Sequence, residues 1–163
     1  MFLLEWKADE LRNANAFPGD VVITHRGTLG QVGLIPAQAQ YPRYVVSQSQ
    51  MLVRGNAENL PPHFLFLFLT SSGGQHALLA NTSQTGVPAI AQPTTSVKAI
   101  RLVFHSRAVL LRFENLIAGM FSMMTSRQQE SRTLAALRDA LLHKLLSGEI
   151  RVVDAERIAG RGT

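Results

Sequence analysis

The chain has 163 residues, 46% of them apolar and 17% charged, with a formal net charge of +5 and no cysteine. That length suits one domain with a real core, or a small domain plus an extension. The lack of cysteine excludes a disulfide framework and any thiolate metal site.

Only Lys7, Lys98 and Lys144 are lysines among the 16 cations. The arginine planar fork suits phosphate and guanine recognition better than a lysine point charge does, although arginine-rich codon usage gives the same bias. The low charge density leaves apolar surface to cover, which favours an oligomer or a complex. The start, Met1 to Lys7, lacks the basic segment and long apolar core of a signal peptide. The longest uninterrupted apolar run, Phe64 to Leu69, is too short to cross a bilayer. The expectation is a cytoplasmic protein with no membrane partner.

In chain order, Glu5 to Ala16 reads as a short polar helix closed by the turn Phe17-Pro18-Gly19-Asp20, which Asp20 caps or shapes. Two β-rich runs follow, Val21 to Thr24 and Gln31 to Ile35, joined by His25-Arg26-Gly27-Thr28-Leu29-Gly30 in a hairpin-like connection. Further strands are predicted at Tyr44 to Val46 and at Gln50 to Arg54. Pro61-Pro62 suits a helix start, so Phe64 to Leu69 is predicted to be a buried helix, ended by Gly73-Gly74. Gln75 to Ala80 reads as a further helical turn or two, Thr82 to Pro88 as a polar loop, and Val97 to Phe104 as a last strand.

From about Arg107 to Ser147 there is no proline and a single glycine, Gly119. One helix of that length would extend roughly 60 Å. It carries an apolar stripe at Phe113, Ile117, Met120 and Met124, then Arg127 and Ser131, then Leu134, Leu137, Leu141 and Leu145. This is a coiled-coil seam with a polar middle. The seam either recruits a second chain or packs on the chain's own domain. The predicted fold is α+β, with a small mixed domain over residues 1–106, a long coiled-coil helix over 107–150 and a tail over 151–163.

Three segments carry a family resemblance. Pro18-Gly19-Asp20-Val21-Val22-Ile23-Thr24-His25-Arg26-Gly27-Thr28-Leu29-Gly30 and Thr85-Gly86-Val87-Pro88-Ala89-Ile90 resemble the target-recognition domains of specificity subunits of type I restriction-modification enzymes. The stretch from Glu130 to Leu142, with Lys144-Leu145-Leu146-Ser147-Gly148-Glu149-Ile150, is similar to the spacer helix of that family. The resemblance covers roughly residues 5 to 152. It implies a non-catalytic reader of double-stranded DNA that docks methyltransferase and restriction subunits, with S-adenosylmethionine bound by the methyltransferase and no cofactor of its own. Specificity subunits carry two recognition domains and two helices that pair antiparallel. This chain has one helix, so the resemblance implies a half-sized or truncated subunit, forming a homodimer or pairing with another specificity half. The sequence also reaches the glycine-aspartate motif about a hundred residues earlier than a complete recognition domain does. Where family members often carry proline around the helix, it has Phe104-His105-Ser106 and Leu142-His143-Lys144.

Candidate DNA-contacting residues are His25, Arg26 and Thr28 on the glycine-flanked connection, Gln48 and Gln50 entering a strand, Thr82 and Gln84 on the polar loop, and Lys98. Arginine suits a guanine edge or a phosphate, and glutamine pairs bidentately with adenine. Each also has a plainer reading, as a solvated hairpin tip, as an ordinary turn with local bonds, or as solvated loop residues. Gly27, Gly30 and Gly33 lack the lysine-serine/threonine ending of a phosphate loop and the strand-turn-helix context of a dinucleotide site. His25, His63, His76, His105 and His143 show no metal-ligand spacing, and no catalytic constellation stands out. The expectation is therefore a DNA-recognition and assembly subunit without enzymatic activity of its own. The rival is an interaction-only remnant that binds other subunits through its helix.

Overall fold

The computed structural model describes residues 4–55, 59–83, 86–103, 106–152 and 160. The elements are α1 (Glu5–Glu10), β1 (Asn15–Ala16), β2 (Val21–Thr24), β3 (Val32–Leu34), β4 (Tyr44–Val45), β5 (Gln50–Val53), α2 (Pro62–Thr70), α3 (Ser72–Leu79), β6 (Thr82–Ser83), β7 (Ala89–Ile90), α4 (Pro93–Lys98) and α5 (Arg107–Leu146). The fold is α+β, as expected. The chain divides into two compact units, Met1–Ser122 and Met123–Thr163, with α5 running through the boundary.

The first unit is built on β2. This strand is rich in β-branched residues, which suit a pleated, half-buried surface. It lies at the centre of an antiparallel sheet of order β3-β2-β5, with Val21 opposite Leu34 on one side and Val53 on the other. Residues two apart on a strand share a face, so Val21 and Ile23 point the same way, and both are fully buried. Leu65 and Leu69, one helical turn apart on α2, meet them there with Leu78 of α3 and Ile90 of β7.

Pro61 and Pro62 open α2, where a missing backbone N–H costs nothing. Ser71 separates α2 from α3 and caps the latter, its Oγ accepting from the Gly74 N–H at 3.1 Å. A Cβ at Gly74 would collide with the Phe68 carbonyl, so the close passage of the two helices requires glycine there.

The turn before β2 is tied to the end of β5. Asp20 Oδ2 accepts from the Phe17 N–H at 2.8 Å, and the Arg54 guanidinium donates to Asp20 Oδ1 at 2.8 Å and Oδ2 at 3.1 Å. Arg54 also reaches the Asn15 carbonyl and lies over the Phe17 ring. The hydrogen bond to Asp20 raises the Arg54 pKa, desolvation opposing it and Coulombic attraction reinforcing it.

Four expectations are corrected. Gly73 and Gly74 do not end the buried helix: α2 stops at Thr70, and both glycines lie within α3, which Ser71 caps. Helix does not run from Glu5 to Ala16: α1 stops at Glu10, a single 3-10 turn follows, and Asn15–Ala16 pairs as β1 with β4. The buried Asn15 side chain donates to the Ala8 carbonyl at 2.9 Å, and the ladder with β4 holds the chain in a non-helical path. Residues 82–88 are not wholly loop, since β6 and β7 pair with Thr82 opposite Ile90. The predicted strand from Val97 falls instead at the end of α4, which Pro93 starts; Ala99 N–H bonds to the Thr95 carbonyl and Ile100 N–H to that of Val97. Residues 99–103 form no strand, and Phe104 lies outside the described residues.

The long helix is present over 40 residues, Arg107–Leu146. It ends in a Schellman arrangement: Gly148 takes φ +73°, its N–H bonds to the Leu145 carbonyl, and the Glu149 N–H bonds to that of Lys144. Within the first unit, its opening turns pack on α2. Leu110 is buried, Phe113 meets Phe64 edge-on at 6.0 Å, and Phe121 meets Phe66 at 5.7 Å.

Candidate nucleic-acid interface

Three of the segments with candidate contacts come together around the end of β2. His25 donates its backbone N–H to the Ser49 carbonyl and accepts from the Ile90 N–H, both at 2.9 Å. Gly27 donates to the Pro88 carbonyl at 2.9 Å, which makes Arg26 and Ala89 a bridged antiparallel pair. That pair is of the non-hydrogen-bonded kind, whose side chains approach most closely, and alanine leaves room for the arginine. Gly27 has φ +84° and Gly30 φ +76°, a left-handed geometry that residues with a Cβ resist. The base of the connection is held from α3, where the Gln75 amide donates to the Gly30 carbonyl at 3.0 Å and to that of Leu69 at 2.7 Å. The 25–30 connection is thus braced at tip and base.

Arg26 and Thr28 are exposed on this braced connection, and His25 is half-buried. Gln48 is exposed in the adjoining turn. Gln50 is half-buried, with its amide oxygen accepting from the Ser47 N–H at 3.1 Å and hydroxyl at 3.3 Å. The local turn reading describes Gln50 well. Thr82 is half-buried on β6, and Gln84 lies outside the described residues. Lys98 is exposed in the last turn of α4, with Arg101 exposed just beyond. Asn81, Thr82, Ser83, Ala91, Gln92, Thr95, Ser96 and Ala99 line an open depression between β6 and α4 that carries no charged side chain.

The stripe on α5 divides by environment. Phe113 and Ile117 are half-buried in the first unit, whereas Met120 is 57% exposed. In the second unit Met124 and Leu134 are exposed, and Leu137, Leu141 and Leu145 are half-buried. By length and composition alone a window of α5 would also suit a bilayer. The packing of Phe113 and Phe121 on α2 gives that segment a protein neighbour on one side.

Two features escape a reading of the sequence by motif. His63 Nδ1 lies 2.6 Å from Glu114 Oε1, half covered by the Phe121 ring at 4.8 Å, and Glu114 Oε2 is buried without a partner among the described residues. The two residues are 51 apart, with nothing in the sequence to link them. The second feature does have a sequence signal. Residues 21–113 contain seven cations (Arg26, Arg43, Arg54, Lys98, Arg101, Arg107 and Arg112) and a single carboxylate, Glu58. Arg43 and Arg54 pair with Asp9 and Asp20, which lie before that stretch. The loops around Arg26 and Lys98 therefore carry positive charge with no acidic residue in their own sequence.

Among the described residues no group of three or more His, Asp or Glu side chains is placed to hold a metal ion. No protein-family model matches this sequence, and no curated protein matches it.

Proposed function

We propose that this chain is a DNA-recognition and assembly subunit, a half-sized or truncated counterpart of the specificity subunit of a type I restriction-modification enzyme. It performs no chemistry; S-adenosylmethionine and methyl transfer belong to a methyltransferase partner in the cytoplasm. The observation that supports it most is the cationic, nearly carboxylate-free stretch 21–113, in which the 25–28, 48–50 and 86–90 segments are joined by backbone hydrogen bonds. The exposed Arg26 on that braced connection, with no acidic residue near it in sequence, attracts the DNA backbone through counterion release. Exposed Arg26 and Thr28 then engage phosphates or base edges in a groove. The α5 leucines Leu134, Leu137, Leu141 and Leu145 supply the assembly half of the role, joining two copies or two specificity halves. A two-fold pair reads a palindromic split site, because site symmetry mirrors protein symmetry.

A second reading, an assembly protein that does not touch DNA, draws on the exposed apolar residues of the second unit, Met123, Met124, Leu134, Leu142 and Leu146. Sedimentation of the purified chain separates the two, alone and with mixed-sequence duplex DNA at low and moderate salt. A dimer that binds duplex and releases it as salt rises supports the DNA reader. A dimer indifferent to duplex supports assembly alone, and a monomer that ignores DNA removes both the homodimer and the reader.

A further inference from the structure

The tip opposite the 25–30 connection carries a side chain with no part in the reading above. Val87 is 59% exposed, between Gly86 at φ +79° and Pro88. The Pro88 carbonyl accepts from Gly27, and Ala89 is bridged to Arg26. Val87 therefore lies two residues from the bridged pair of Arg26 and Ala89. A lone exposed apolar residue is ordinary on a protein surface; this one is distinguished by its mounting and its neighbours. A following proline biases the valine backbone to extended geometry and the hydrogen bond from Gly27 holds the Pro88 carbonyl, so the valine, itself stiff at χ1, has less freedom to lose on binding. Beside it, at the bridge, stands the exposed Arg26.

On the major-groove edges of the bases, one group is apolar: the 5-methyl of thymine. Small apolar side chains read it by contact, while arginine reads the neighbouring guanine edge or a phosphate. We infer that Val87 is a specificity-determining residue that packs on a thymine 5-methyl group, with Arg26 holding the adjacent polar edge. The inference rests on the DNA-recognition reading and adds a base preference to it, thymine beside the position that Arg26 contacts.

The test uses the whole chain. A randomised duplex library is enriched by repeated binding at low salt, and the enriched duplex is remade with 2′-deoxyuridine for every thymine, which removes the methyl groups and leaves the pairing edges. The native chain should bind the uracil duplex about four- to fifteenfold more weakly, the effect of withdrawing roughly one or two methyl-sized groups from contact. Val87→Ala, which keeps only a single methyl, should show a smaller difference between the duplexes, and Val87→Ile should restore it. With its side chain largely in solvent, Val87→Ala should melt like the native chain. Equal affinity of the native chain for both duplexes, or an undiminished difference in Val87→Ala, overturns the Val87 contact and leaves DNA recognition standing. Absence of salt-dependent binding to any duplex overturns the DNA reading, and the Val87 contact with it.

Discussion

Replacing Asp20 by alanine removes the tie between the turn before β2 and the end of β5. Three hydrogen bonds go at once: one from the Phe17 N–H and two from the Arg54 guanidinium. A hydrogen bond to a charged group contributes roughly 1.5–3 kcal/mol where it is shielded from solvent. The Asp20 side chain is 8% exposed and that of Arg54 54% exposed, so the carboxylate is desolvated while its partner remains half in water. Solvent screening brings the Arg54 share down to about 1 kcal/mol. With the loss at Phe17, Asp20→Ala should cost about 2–3 kcal/mol, a fall in melting temperature of roughly 4–12 °C for a domain this size. Arg54→Met should cost about 1–2 kcal/mol, since Asp20 keeps its bond from Phe17. Because the pair shares one interaction, the double variant should lose less than the sum of the two. Asp20 raises the Arg54 pKa. A raised basic pKa stabilises the fold below the unfolded value, and that contribution fades only as pH climbs through the folded value, so the loss should be the same at neutral and mildly alkaline pH. The assay is urea unfolding followed by far-ultraviolet circular dichroism, at one fixed protein concentration so that self-association does not alter the midpoint. Additive single losses, or an Asp20→Ala cost below about 0.5 kcal/mol, would refute the clamp and mark the contact as an ordinary surface pair.

Three other variants probe the packing of the helices, the charge on the 25–30 connection and the leucine stripe. Gly74→Ala places a Cβ against the Phe68 carbonyl, and despite the better helix propensity of alanine it should cost about 1–3 kcal/mol in the same unfolding assay. Arg26→Ala should leave stability unchanged, weaken duplex binding, and lower the slope of log affinity against log salt by about 0.9 if Arg26 meets one phosphate. A changed base preference at an unchanged slope would instead assign it to a guanine edge. Leu137→Glu with Leu141→Glu should abolish self-association in sedimentation velocity while circular dichroism retains the helix. A persistent dimer would remove the leucine stripe from the assembly role.

Strong periodic or punctuated segments were legible before any coordinates. The run from Arg107 to Ser147 is free of proline and predicts the long helix over 107–150; the helix is there over Arg107–Leu146, ending four residues earlier with Gly148 in a left-handed conformation. Pro61-Pro62 announced α2, and the β-branched Val21 to Thr24 announced the central strand. The misread segments have two causes. Asn15–Ala16 reads as the end of a helix, but β4, nearly 30 residues on, supplies its ladder. Val97 and its neighbours have strand-like composition, but Pro93 starts a helix that runs through Lys98 on local hydrogen bonds.

The same division applies to the candidate site. By itself the sequence determined the chemical character of the chain: no thiolate chemistry, an arginine-rich cation set, one carboxylate in residues 21–113, and a long helix with an apolar stripe. These follow from residue type and local spacing, which act over a few residues. Only the tertiary structure decided which of those residues meet. Arg26 stands beside Ala89 because hydrogen bonds from Gly27 to Pro88 and from Ile90 to His25 close a gap of more than 60 residues, and His63 finds Glu114 only because α2 packs on α5. Long-range contacts of this kind depend on the burial of Val21, Ile23, Leu65, Leu69, Leu78 and Ile90 in one core. That collective burial leaves no short-range pattern in the residues it brings together.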